Sequence, residues 1–160
     1  MPELPEVQTI VNGLNQKIRG RKIVDIWTDW PKYFRMHKSE AAFRKHVVGK
    51  KIIKFERRAK IVLIDLSDNH AMLIHQKMSG HLMVGKWRKV KDNRDFENLR
   101  ETDLIQKWNG QKWIPEPPKG PATDPMNRFI RLIFFLDDGR MLALSDLRRF
   151  AKVLCASREK

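Results

Sequence analysis

Apolar side chains at Val7, Ile10, Val11, Leu14 and Ile18 fall at helical spacing, so the chain opens with an amphipathic helix. Pro5 suits its first turn, Glu3 and Glu6 complement its positive end, and Gly20 stops it. The period then shortens. KIVDIWTD (22–29) alternates as a strand, and Ser39 caps a short helix over SEAAFRKHVV (39–48) that runs to Gly49. KIIKFERR (51–58), KIVLIDL (60–66), AMLIHQK (71–77) and HLMVGKW (81–87) follow as strands, with a hairpin turn at SDNH (67–70).

Residues 88–126 break this rhythm. They contain Trp108 and Trp113, and five of the chain's eight prolines lie between 115 and 125. The spacing predicts an insertion, with a short helix near 96–108 and then an extended loop, its tryptophans packing on the fold or meeting a partner. RFIRLIFFL (128–136), the turn Asp137-Asp138-Gly139 and RMLALSD (140–146) then form a hairpin. Strands at regular spacing behind one helix predict an α+β chain that is mostly β. The expected architecture is a two-layer antiparallel β-sandwich with an N-terminal helix and a second short helix at its edge. All 160 residues make one domain around the 88–126 insertion.

Charge changes the picture more than composition does. Lys and Arg number 33 against 19 Asp and Glu, a net charge of +14, which calls for a polyanionic partner. Residues 87–126 carry eight basic and seven acidic side chains, so nearly the whole excess belongs to the main fold. No apolar run approaches a membrane span and the opening lacks a secretory pattern. Cys155, alone, excludes an internal disulfide, and no Cys/His set has zinc spacing. The expectation is a cytoplasmic, intracellular, nucleoid-associated domain without metal or membrane.

Four stretches carry candidate chemistry: PELPE (2–6), RRAK (57–60), HQKMSG (75–80) and DLRRF (146–150). Loss of Met1 would leave Pro2 with a free secondary amine beside the Glu3 carboxyl, which is either a plain chain end or a nucleophile with a proton shuttle. Taken singly, each stretch has an ordinary reading: a helix leader, a solvated strand end, a core methionine before a turn, a surface arginine pair before a buried aromatic.

Together and in this order they make the chain similar to the N-terminal domain of the formamidopyrimidine-DNA glycosylase / endonuclease VIII family. PELPEV resembles the opening of the formamidopyrimidine branch, and the likeness covers the chain apart from the insertion. The resemblance implies base-excision repair: removal of oxidised purines by attack of the Pro2 amine on the sugar C1′, through a Schiff base, then lyase cleavage of the strand. Glu3 would serve as general acid/base, Lys60 would act near the reacting nucleotide and its phosphates, and Glu6 would support the site. His75, Arg149 and Arg128 would meet phosphates. Met78, Arg148 and Phe150 would enter the duplex where the damaged nucleotide is turned out. The implied partner is double-stranded DNA with oxidised bases or abasic sites, bound by a monomer.

The chain departs from the family at Leu147 (a proline), Ala151 (a glycine), Gln8 (often a glutamate) and the histidine-rich stretch replaced by Arg128, Phe129 and Arg131. The family continues into a helix–two-turn–helix module and usually a zinc finger, so its zinc site lies outside this chain and no cofactor is expected in it. The expectation is a domain excised from a longer protein, with a naturally short member as the alternative; alone, such a domain holds DNA weakly and is weakly active or inactive. Two other functions fit the same residues: a non-catalytic domain that recognises damaged or abasic DNA, and a plain basic nucleic-acid-binding sandwich.

Overall fold

The computed structural model describes residues 4–34, 36–37, 39–77, 80–89, 113–115, 128–149 and 151–157. Helix α1 (Leu4–Ile18) and strand β1 (Ile23–Thr28) lead into a 3₁₀ turn (Pro31–Phe34) and helix α2 (Glu40–Val47). Then come β2 (Ile52–Arg58), β3 (Ile61–Leu66), β4 (His70–His75), β5 (Gly80–Gly85) and β6 (Trp87–Lys89). The chain finishes with β7 (Trp113–Pro115), β8 (Ile130–Leu136), β9 (Met141–Asp146) and β10 (Lys152–Ser157). Two four-stranded sheets result, ordered β1-β8-β9-β5 and β10-β4-β3-β2.

Local signals behave as expected. The Ser39 hydroxyl accepts the Ala42 N–H at 3.1 Å and so caps α2. Asp68 and Asn69 both take positive φ in the β3–β4 turn, as a tight hairpin requires. The inner faces of the two sheets close on each other and on α1 and α2, burying Val7, Leu14, Phe43, Ile64 and Phe134. That burial is the main stabilising term.

Four details differ from the pattern-based expectation. The stretch 81–87 is not one strand, because β5 ends at Gly85 and Trp87 starts β6. β6 pairs with β7, so the described part of 88–126 is a two-stranded ribbon, and Trp113 packs on the fold. Trp87 and Trp113 are 3% and 6% exposed, lying against Ile133 and Ala143 on the outer face of the β1-β8-β9-β5 sheet. This explains the apolar run 132–136 within β8, which is covered on both faces. The 3₁₀ turn and β10 had no strong local signal: each is short, and β10 buries only Val153 and Cys155 deeply. The helix expected near 96–108, and Trp108, lie outside the described residues.

Among the described residues no helix is long and apolar enough to cross a membrane.

Candidate functional site

Strand register decides where the candidate residues meet. β4 pairs with β3 and β10, so His75 stands opposite both Ile61 and Lys152. Lys60 immediately precedes Ile61, and Arg148 and Arg149 lie just before Lys152 in the chain. In the other sheet Gly80 stands opposite Asp146. The turn at 59–60, the β4–β5 connection and the β9–β10 connection therefore share one end of the sandwich. Arg128 joins them there, since Phe129 accepts the Asp146 N–H at 2.9 Å.

Helix α1 begins at the same end. Arg19 donates to Ile53 O at 3.1 Å, and Asn15 exchanges two hydrogen bonds of 2.8 Å with Phe55. Near the other end of the helix, Arg57 Nε donates to Gln8 Oε1 at 3.0 Å. A helix of this length spans roughly 22 Å, so its direction matters. Here its first turn, with the exposed Glu6, lies beside RRAK. Gln8, the departure from a glutamate, serves as the acceptor for Arg57.

Backbone strain collects in the same loops. Among the described residues five non-glycine residues have φ in the left-handed region; two form the ordinary β3–β4 turn. The other three are Ala59 (51°), Lys77 (55°) and Arg149 (58°), one in each candidate loop. Such conformations cost of order 1 kcal/mol or more each and persist where surrounding contacts enforce them. At Ala59 one such contact is the Arg57 guanidinium, which donates to Ala59 O at 3.1 Å.

A cavity of about 660 Å³ opens at this end, with Ile61, Leu73 and Val153 among its apolar walls. Lys32, His75, Lys77, Arg149 and Lys152 also line it. The Arg149 guanidinium lies 4.7 Å over the Trp30 ring and Lys32 Nζ lies 5.1 Å from the same ring, so one indole orients two cations. Burial first, then the charges of Lys77, Lys152 and Lys60, hold the His75 imidazole below its ordinary 6.5. His75 Nε2 is buried and has no hydrogen-bond partner among the described residues. These features suit an incoming anion.

Residues 1–153 match the family model for the formamidopyrimidine-DNA glycosylase N-terminal domain. The chain belongs to this family. It is 28% identical over 153 residues to formamidopyrimidine-DNA glycosylase from Herpetosiphon aurantiacus, covering 95% of this chain and 43% of the relative. The enzyme of the same name from Carboxydothermus hydrogenoformans is 42% identical over 84 residues, which covers 52% of this chain and 32% of that one. A solved structure of the Lactococcus lactis enzyme with a FAPY-dG-containing DNA superposes with a TM-score of 0.66 at 21% identity, covering 97% of this chain and 44% of that one. The L. lactis enzyme bound non-covalently to DNA with an abasic site gives 0.65 at 21%, covering 97% and 45%. The chain thus spans a little over two-fifths of the L. lactis enzyme's length.

In this formamidopyrimidine-DNA glycosylase N-terminal domain, Glu6, Lys60, His75, Arg128, Arg148 and Arg149 all come to the shared end. Pro2, Glu3, Met78 and Phe150 lie outside the described residues. Arg128 lies 4.2 Å over the Phe129 ring, which directs it by stacking. Motif reading missed Trp30, Lys32, Lys77 and Lys152. Lys77 was visible inside HQKMSG and Lys152 just after DLRRF, whereas Trp30 and Lys32 had no signal at all. Among the described residues no group of three or more His, Cys, Asp or Glu side chains is arranged to hold a metal ion.

The His75 surroundings set a pH signature with two opposite signs. Its folded value lies below the ordinary one, so as pH falls through about 6.5 the unfolded chain takes up a proton first and stability declines. A phosphate group brought to the imidazole would favour the protonated form instead, so affinity for a phosphate-bearing ligand held there should rise as pH falls. Duplex binding followed by fluorescence anisotropy from pH 8 to 5.5 should therefore rise more steeply for the native chain than for His75→Gln.

Proposed function

We propose that this chain is the catalytic domain of a DNA glycosylase with lyase activity in base-excision repair, acting on oxidised purines and abasic sites in double-stranded DNA as a monomer. The observation that carries this reading is the convergence of the α1 N-terminus, Lys60, the His75–Lys77 segment and the Arg148–Arg149 loop at one basic end of the sandwich. Family membership and the names of its relatives support the same chemistry.

Pro2 is the proposed nucleophile. On a damaged nucleotide its amine displaces the oxidised base at C1′, and the sugar ring opens to a cationic imine. On an abasic site it adds to the C1′ aldehyde with loss of water to give the same imine. That imine is the electron sink for a β-elimination that takes a C2′ proton and breaks the C3′–O bond. Glu3 moves the protons, and Lys60 holds the nearby phosphate. Met78 and Phe150 fill the gap left by the extruded nucleotide, while Arg148 pairs with the orphaned base. Arg149, fixed over Trp30, and Arg128, over Phe129, meet phosphates along the groove, and Glu6 braces the start of the helix.

Borohydride trapping on a duplex with one abasic site tests the reading. A chain beginning at Pro2 should give one covalent adduct. No adduct, with abasic-selective binding retained, supports a non-catalytic damage-binding domain; equal affinity for abasic and intact duplexes reduces the chain to a general nucleic-acid binder.

The cavity cations make a separate prediction. Each phosphate neutralised contributes about 0.9 to the slope of log affinity against log salt. Lys77→Gln with Lys152→Gln should flatten that slope by about 2 and weaken binding roughly equally on intact and abasic duplexes. Titrations between 50 and 200 mM salt (roughly the range over which such contacts are lost) measure it.

A further inference from the structure

We propose that Asp146 and Tyr33 form a buried clasp that sets the course of residues 147–149 after β9 and thereby positions Arg148, an inference that rests on the glycosylase reading above. Asp146 is wholly buried at the end of β9. Its Oδ2 accepts the Tyr33 hydroxyl at 2.8 Å and the Ala151 N–H at 3.0 Å, so one oxygen ties the two ends of the loop together and fastens both to the 3₁₀ turn. Its backbone oxygen accepts the Arg149 N–H at 3.4 Å and Arg131 Nε at 3.2 Å.

A carboxylate is expensive to bury, and an apolar side chain would serve a strand end at lower cost. A carboxylate at this position does what an apolar side chain cannot: it accepts hydrogen bonds from two directions and selects one loop conformation. The loop needs such selection. Leu147 leaves it without the fixed φ of a proline, and Arg149 is held at φ +58° without being a glycine. The Arg149 side chain lies over Trp30, three residues before Tyr33, so one short segment supports both the base of the loop and its second arginine. Burial, then the Asp146 charge, pushes the Tyr33 hydroxyl far above its ordinary value, so it remains a donor at every working pH.

The β4–β5 connection has a parallel clasp. Gln76, 1% exposed, uses Oε1 to accept the Leu82 N–H at 3.1 Å, while its backbone oxygen accepts the Gly80 N–H at 3.0 Å. Two neighbouring loops, each closed by a buried polar side chain, argue that loop shape is the common purpose.

The test uses Tyr33→Phe in the full 160-residue chain. Native-state trypsin cleavage after Arg148 and Arg149, read by mass spectrometry, should accelerate by about tenfold, the effect of one hydrogen bond to a charged group. The preference for an abasic over an intact duplex should fall by a similar factor, roughly tenfold, with affinity for the intact duplex unchanged. Asp146→Asn, which keeps an acceptor oxygen, should cleave more slowly than Asp146→Ala. Unchanged cleavage in Tyr33→Phe overturns the clasp, as does an equal loss of affinity for both duplexes alongside a general loss of stability. If the native chain itself shows no abasic preference, the glycosylase reading fails while the cleavage arm still judges the clasp.

Discussion

A chain that retains Met1 is expected to give no borohydride-stable adduct with an abasic duplex, where a chain that begins at Pro2 gives one. The reason is the electronic state of one nitrogen. Joined to Met1, the Pro2 nitrogen belongs to an amide, and its lone pair is delocalised into the carbonyl. It can neither attack C1′ nor carry the cationic imine that borohydride reduces. Freed, it is a secondary amine, and only its unprotonated form, favoured as pH rises, can attack. The comparison needs the two forms separated by N-terminal mass and incubated with the same labelled duplex. The adduct mass identifies the residue that reacted. Equal adduct from both forms would move the nucleophile to a side chain, with Lys60 the first to examine, and the Pro2 proposal would fall.

Gly80→Ala should cost about 2–4 kcal/mol of folding stability, combining overpacking with a weakened hydrogen bond. An added Cβ would stand 2.3 Å from Gln76 O, 2.9 Å from its Cα and 3.0 Å from its carbonyl carbon. All three atoms are backbone, so no side chain can swing away to relieve the contact. The chain must open the 76–80 turn, stretching the Gly80 N–H to Gln76 O bond of 3.0 Å. Because Gly80 pairs with Asp146, the disturbance reaches the ends of both sheets' candidate loops, after β4 and after β9. For a domain of this size the midpoint should fall by about 5–15 °C, and abasic-duplex preference should weaken with it. Gly139→Ala is the control. Its Cβ would enter open space, and its φ of +86° alone penalises the substitution by about 1 kcal/mol. Equal thermal midpoints for the two variants would show that the crowding at Gly80 is relieved locally.

Much of the fold was legible because its signals are local. Helix α1 repeats Val7, Val11, Leu14 and Ile18 on one buried face, and β4 alternates with Met72 and Ile74 buried. The Asp68-Asn69 turn and the Ser39 cap depend on residues within a few positions of each other. Where the pattern misled, a distant surface had intervened. The stretch 81–87 splits because Trp87 begins a strand that pairs with the Trp113 strand and packs on the outer face of a sheet. Strand β10 forms chiefly because β4 offers it a partner.

The candidate site divides in the same way. PELPE, RRAK, HQKMSG and DLRRF carry the family resemblance only together and in this order. That the last three face one another follows from Ile61, His75 and Lys152 sharing a row, and from Gly80 meeting Asp146. Tyr33 and Asp146 are 113 positions apart, and neither the clasp nor the Trp30 stack leaves a mark in the sequence pattern. By itself the chain's order of residues determined which segments coil or extend, because those choices rest on side-chain periodicity and backbone preferences over a few residues. Tertiary structure alone decided that the three loops and the helix N-terminus share one end. That outcome depends on strand register, which is settled only when the inward faces of both sheets find a packing that buries them together.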